Sequence, residues 1–192
     1  EMKTGKTQPL YTHIHQDIIE RCREGEQKAQ FQIYKLYYKP MYNTSYRIVN
    51  DRMEAEDIMQ EAFLKAFDKI HTYSGTVSFG AWLKRIVINH SLDELKKKKI
   101  KIDFMEETDL PAGIDVETKD EINDTEITAR IETIHEAINA LPHGYRIVLS
   151  LYLLEGYDHE EIAEILHMSS STSRSQYTRA KNKLKQQLAK KQ

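Results

Sequence analysis

Glu54, Asp57, Gln60 and Glu61 recur at spacings of three and four, so on a helix they share one face. Clustered carboxylates can hold a metal ion or act as an acid/base pair. Both chemistries need more than this face offers. No histidine stands at matching spacing, and the eight histidines form no ligand set, His13 and His15 being the only close pair. Cys22 is the single cysteine, so neither a zinc spacing nor an internal disulfide framework exists. Glycine-rich phosphate loops and nucleophile elbows are also missing. The expectation is therefore no catalytic residue, metal, cofactor or small-molecule substrate. On composition alone the acidic face reads as an ordinary solvated helix face.

Two other sets suit nucleic acid. Ser171, Thr172, Arg174, Ser175, Thr178 and Arg179 would occupy the leading turns of a C-terminal helix, with Lys181 and Lys183 further along. A major groove admits one α-helix, whose leading side chains reach base edges while trailing cations contact phosphates. The alternative is a solvated basic tail. Tyr73, Ser74, Ser78, Trp82, Lys84, Arg85 and Asn89 bring aromatics, an amide and cations beside a polar loop, a combination that suits unpaired DNA. Trp82 and Phe79 read as core residues before base platforms, and the loop from Tyr73 to Ser78 is the better candidate for base contact.

The elements that must position these residues are helical. In 192 residues, seven Gly and four Pro are scattered while Leu, Ile, Ala, Glu and Lys recur at helical spacing, so the class is all-α. Gln16 to Arg23, Gln27 to Tyr38 and Met41 to Val49 read as separate helices, punctuated by Gly25 and Pro40. Asp51 with Glu54 has the spacing of a capping box and opens a helix to about Ile70. Its apolar stripe is Ile58, Ala62, Phe63, Ala66, Phe67 and Ile70, and Glu54, Asp57, Glu61 and Lys65 lie opposite. Ser78 caps a helix that buries Phe79, Trp82, Leu83, Ile86 and His90.

From about Lys97 to Glu121 no apolar period is sustained, and Pro111 and Gly113 interrupt an acidic stretch, so it reads as a flexible linker. Ile127, Ile131, Ile134, Ile138 and Leu141 then repeat at helical spacing up to Pro142. A very apolar helix follows from Tyr145 to Leu154 and stops at Gly156. Asp158 and Glu161 repeat the capping-box spacing and open a short helix through Leu166. A tight turn at His167 to Ser169 leads into a long basic helix from Ser170 to about Ala189. Short helix, turn and basic helix have the form of a helix-turn-helix. The expected domains are 10–97 and 123–190, joined by a linker at 98–122.

Charge agrees with this division. The net charge of −2 conceals a segment, Ile102 to Glu136, with twelve acids against two Lys or Arg. Lys96 to Lys99 and Lys101 precede it, and from His167 onward seven basic residues meet no acid. No apolar run at the start has the length of a signal peptide or membrane span, so a soluble cytoplasmic protein is expected. Glu1 precedes Met2 and reads as an added residue.

Glu54-Ala-Glu-Asp-Ile-Met-Gln-Glu-Ala-Phe63, Phe79-Gly-Ala-Trp-Leu-Lys-Arg-Ile-Val-Ile-Asn89 and Asp93 resemble the second conserved region of extracytoplasmic-function (ECF) sigma factors. Leu141-Pro-His-Gly-Tyr-Arg-Ile-Val-Leu149, Leu154-Glu-Gly156 and Glu160-Glu-Ile-Ala-Glu-Ile-Leu166 resemble the fourth, in the same order. The resemblance implies a region 2 bundle and a region 4 helix-turn-helix, a non-catalytic subunit of RNA polymerase, and an anti-sigma factor as partner. Glu54, Asp57, Gln60 and Glu61 would then bind core polymerase, whose β′ and β subunits are the expected partners, with β′ offering a coiled coil to this face. Lys65, Tyr73, Ser74, Ser78, Trp82, Lys84, Arg85 and Asn89 would hold the melted −10 element of promoter DNA. Ser171, Thr172, Arg174, Ser175, Thr178, Arg179, Lys181 and Lys183 would read the −35 element.

Where the family commonly opens this helix with Gly-Thr-Val, then Lys or Arg, Ser and Arg, this chain has Ser171, Thr172, Ser173, Arg174, Ser175 and Gln176. Glu54 stands where the family often has Asp. A linker of about 25 residues extends to roughly 80 Å at ~3.3 Å per residue, enough for DNA sites two helical turns, or ~70 Å, apart. Docking on polymerase would make the second DNA contact effectively intramolecular. A stand-alone helix-turn-helix regulator and a protein-binding adaptor are the competing readings.

Overall fold

Asp51 caps a helix with its carboxylate, which accepts from the Glu54 backbone N–H at 2.9 Å, and Ser78 does the same for Ala81 at 3.2 Å. A computed structural model describes residues 15–98 and 124–189. The described residues hold eight α-helices, a 3₁₀ turn and no strand. The chain divides after Lys98 into two compact units. The expected linker lies outside the described residues but for its first residue, Lys98.

The first unit contains α1 (Gln16–Arg23), α2 (Gln27–Val49), α3 (Arg52–Asp68), a 3₁₀ turn (Ile70–Thr72) and α4 (Phe79–Lys97). Helices α2, α3 and α4 pack on one another and α1 lies against α2. Ile19, Ile33, Met41, Ala62, Phe63, Phe79, Leu83 and Val87 are buried together. Phe63 alone meets Tyr34 edge-on at 5.0 Å and Phe67 at 6.0 Å.

Pro40 does not divide α2 in two. Its ring removes one backbone donor and crowds the carbonyl four residues back, which ordinarily breaks a helix. Here Ala29 and Ile33 before it, and Met41, Ser45, Ile48 and Val49 after it, are all buried, so packing on both sides holds one rod. The Pro40 carbonyl accepts from Thr44 Oγ1 at 3.0 Å, and Asn50 ends the helix with φ 59°.

The second unit contains α5 (Asp124–Asn139), α6 (His143–Leu153), α7 (His159–Leu166) and α8 (Ser170–Ala189). Helix α8 packs on the other three, and Ala137, Ile138, Leu141, Leu149, Ala180 and Leu184 form a buried cluster. The full capping box forms at Asp158: its carboxylate accepts from the Glu161 N–H at 2.8 Å, and Glu161 accepts from the Asp158 N–H at 2.9 Å. His167 turns the chain with φ 55°.

The apolar repeat of α5 is only partly buried. Ile138 is enclosed, whereas Ile131 and Ile134 are 48% and 41% exposed. The Ile127 side chain lies outside the described residues. The buried cluster takes in only the C-terminal end of α5, so periodicity alone overstates the core.

Candidate nucleic-acid and partner interfaces

Helix α3 divides its side chains as the spacing predicts. Ala55, Ile58, Met59, Ala62, Phe63 and Ala66 are buried, while Asp57, Gln60, Glu61 and Lys65 are exposed. Glu54 departs from the exposed face expected of it. Its carboxylate is 15% exposed and accepts from Lys98 Nζ at 2.8 Å, an ion pair between the first turn of α3 and the end of α4. That bond holds the Lys98 ammonium above its ordinary range. The other oxygen, Oε1, is buried without a hydrogen bond.

Sequence reasoning missed two apolar residues beside this face, Phe31 and Leu64, both strongly exposed. With Gln60, Gln27, Gln30, Tyr34, Phe63 and Phe67 they line an open groove of about 410 Å³ between α2 and α3. One signal was available: Leu64 stands three and four residues after Glu61 and Gln60, an apolar residue on the polar face.

The loop after the 3₁₀ turn is held from beneath. Spacing groups Tyr73 with the base-contacting residues, yet its ring is buried at 3% exposure and meets Phe79 and Trp82 with centroids 5.4 Å away in each case. Its hydroxyl donates to the Val77 carbonyl at 2.8 Å, and its own carbonyl accepts from Arg23 Nη2 at 2.5 Å. Burial pushes its phenol above the ordinary range, against a smaller opposing pull from Arg23. An aromatic ring in a loop tends to be drawn into any adjacent core, which spacing alone does not reveal.

Ser74, Thr76, Val77 and Ser78 remain exposed around Gly75, whose φ of 77° suits glycine. Ser74 and Thr76 hydroxyls lie 3.1 Å apart. Trp82 is half-buried against Phe79 and Tyr73, in keeping with a core role. Lys84 and Arg85 are half-buried and Asn89 is exposed on α4. Lys65 reaches across from α3 to the buried ring of His90.

In the second unit α8 buries Ser173, Gln176, Ala180 and Leu184. The side turned outward carries Ser171, Arg174, Ser175, Thr178, Lys181 and Lys183, with Thr172 and Arg179 half-buried at its margins. Ser169 caps the helix, its Oγ accepting from the Thr172 N–H at 3.0 Å. Arg174 extends along the surface to Glu160 of α7 at 2.5 Å and to Ser170 Oγ at 3.3 Å. Sequence reasoning also missed His159, which stacks on Tyr152 at 4.6 Å and bonds Ser173 Oγ at 2.9 Å. It joins α6, α7 and α8, and nothing in local spacing announces that.

Among the described residues no group of three or more His, Cys, Asp or Glu could hold a metal ion, and no helix is long and apolar enough to cross a membrane.

Two family models match the chain, Sigma-70 region 2 over residues 33–100 and Sigma-70, region 4 over residues 131–184. The chain is 30% identical over 176 residues to the ECF RNA polymerase sigma factor SigW of Bacillus subtilis, covering 88% of this chain and 94% of that protein. It is also 30% identical over 176 residues to the RNA polymerase sigma-H factor of Pseudomonas aeruginosa, covering 86% and 89%. Solved structures that resemble it include CnrH in complex with the cytosolic domain of CnrY, at 19% identity and TM-score 0.56 over 92% of this chain and 97% of that one. RpoE in complex with the anti-sigma factor NepR, from Bartonella quintana, matches at 20% identity and TM-score 0.56 over 82% and 95%. At these identities the structural likeness is one of fold.

Proposed function

This chain belongs to the ECF family of RNA polymerase sigma factors, which direct promoter-specific transcription initiation, and from that premise we propose how its two units divide the role. The first unit docks on core polymerase through Asp57, Gln60 and Glu61 and the adjoining groove at Phe31 and Leu64, a surface suited to a helical partner with basic and apolar side chains. Glu54 supports this surface from its ion pair with Lys98.

The exposed part of the loop, Ser74 to Ser78, takes a base of the melted −10 element, while Lys65, Lys84, Arg85 and Asn89 follow the strand. Tyr73 and Trp82 form the floor of that site. Helix α8 reads the −35 element with Ser171, Thr172, Arg174, Ser175, Thr178 and Arg179, and Lys181 and Lys183 contact phosphates. The protein is not an enzyme and acts in the cytoplasm, where polymerase and DNA are. An anti-sigma factor is the regulatory partner; both structural relatives were solved with a bound protein, and for RpoE it is an anti-sigma factor.

The observation that carries the reading is the two-sidedness of α8. Arg174, Ser175 and Thr178 are turned outward on its leading turns while Ser173, Gln176 and Ala180 lock its rear to the unit. A helix presented in this way can enter a major groove without unfolding its support.

Run-off transcription with bacterial core polymerase, on DNA selected by the reconstituted complex, tests the proposal. Start-specific transcripts should require the chain and disappear with Asp57→Lys combined with Glu61→Lys. Tight sequence-specific binding of duplex by the chain alone, with no chain-dependent transcript, would overturn it in favour of a stand-alone helix-turn-helix regulator.

A further inference from the structure

His90 is 5% exposed on α4, yet it meets two charged residues of α3. Its Nε2 lies 2.8 Å from Glu61 Oε2. A carboxylate can only accept, so Nε2 carries the hydrogen and donates it. Lys65 Nζ lies 2.9 Å from Nδ1 and 3.3 Å from Nε2 of the same ring. An ammonium on the in-plane lone pair of one nitrogen would be much farther from the other. Near-equal distances put Nζ over the ring face, where a cation is attracted to a π-system.

Glu61 and Lys65 are four residues apart, the spacing at which Glu and Lys on one helix ordinarily pair with each other. The ring engages both instead. Two further charges bear on this group. Glu94 of α4 is bound to Lys97, whose hydrogen bond is the main reason its carboxyl lies below the ordinary range, with smaller pulls from His90 and Lys65; Lys97 in turn is drawn by Glu61, and Lys98 is bound to Glu54. Ser91, the next residue, is buried and bonded to Ser45 Oγ of α2 at 3.0 Å, which fixes this turn of α4.

We propose that His90 is a positioning residue: from inside the bundle it fixes the Glu61 carboxylate and the Lys65 ammonium on the outer face of α3, linking the polymerase-docking position to the DNA-contacting one. The inference rests on the assignment of α3 as the docking surface. A carboxylate already held in place loses less conformational freedom when a partner binds. Without the ring, Glu61 and Lys65 are free to neutralise one another, and both ends of the link lose their bias.

The test is a double-mutant cycle on the full chain, with affinity for core RNA polymerase measured by fluorescence anisotropy and folding checked by thermal unfolding. His90→Leu keeps the bulk and removes both contacts, and should weaken polymerase binding about tenfold, the scale of one hydrogen bond to a charged group. His90→Asn is polar but too short to reach Glu61 and should lose as much, providing a second arm if the Leu variant does not fold. His90→Gln restores a donor at nearly the right reach and should recover most of the affinity. In a Glu61→Ala background, where no acceptor is left for the ring, the His90 substitutions should have almost no further effect, because their route is gone. Wild-type affinity in folded His90→Leu and His90→Asn, or an unchanged loss in the Glu61→Ala background, would overturn the inference. Glu61→Ala with wild-type affinity would instead sink the docking assignment itself.

Discussion

Arg174 of α8 donates from Nη2 to Glu160 Oε1 at 2.5 Å, so α7 and α8 are joined through an arginine, the side chain best suited to read a guanine. Both side chains are more than half exposed, so the pair contributes on the order of 1 kcal/mol or less to stability. On the proposed function its consequence lies in DNA binding, where Glu160 would aim the guanidinium and also repel phosphates. Glu160→Ala should leave the melting temperature nearly unchanged, raise affinity for random duplex and narrow the gap between selected and random DNA. Arg174→Ala should cost roughly 1–3 kcal/mol at one base pair. Anisotropy titrations of both duplexes check the pair of outcomes; an unchanged selected-to-random ratio in Glu160→Ala would remove the aiming role.

The Tyr73 hydroxyl ties the loop to itself at Val77, so Tyr73→Phe should keep the aromatic cluster and release the loop. One neutral hydrogen bond of this kind contributes about 1 kcal/mol. Binding to a single-stranded −10 segment in the presence of core polymerase should fall severalfold, while duplex −35 binding stays unchanged. Equal loss in both assays would point to general destabilisation.

Asp158 and Glu161 close the full capping box at the start of α7, satisfying two backbone donors at once. Asp158→Ala should destabilise the second unit by about 1 kcal/mol. Because the chain has two units, the loss should appear in probes of the second unit and leave the first unaffected. Hydrogen exchange resolved by unit makes the comparison; protection lost equally in both would contradict independent units.

Local chemistry was the legible part of this sequence. The caps at Asp51, Ser78 and Asp158 fixed three helix starts, and the turn at His167 to Ser169 placed α8 within a residue of its observed bounds. Tertiary effects were not legible. Packing carries α2 through Pro40, although the local rule for proline ends a helix there. Glu54 looks equivalent to Asp57 by spacing, but the first turn of α3 lies beside the end of α4, and Lys98 draws it in. Ile131 and Ile134 share a stripe with Ile138, yet the stripe outruns the core that could cover it. Tyr73 reads as a loop aromatic and folds inward. The contacts of His90 with Lys65 and Glu61 span 25 and 29 residues, beyond the reach of any periodicity.

Cys22 is buried, and that burial pushes its thiol up to about 11, with Arg21 pulling weakly against it and Glu26 adding to it. A thiolate is the reactive form, so a thiol held neutral and enclosed is doubly protected. Alkylation at pH 8 should therefore proceed only as fast as the first unit opens, and should accelerate sharply in denaturant. The same shift fixes a sign for stability. The folded state keeps the proton more tightly than the unfolded chain, whose thiol titrates near ~8.5. The contribution is thus fully present below that pH and is lost as pH rises through about 11. Tyr37 and Tyr73, also raised by burial, act in the same direction at high pH, so the thiol must be isolated by difference. Cys22→Ala, though less stable at neutral pH for its lost packing, should show a shallower decline in melting temperature between pH 8 and 11 than the parent chain. Parallel declines would mean that Cys22 titrates alike in the folded and unfolded chain.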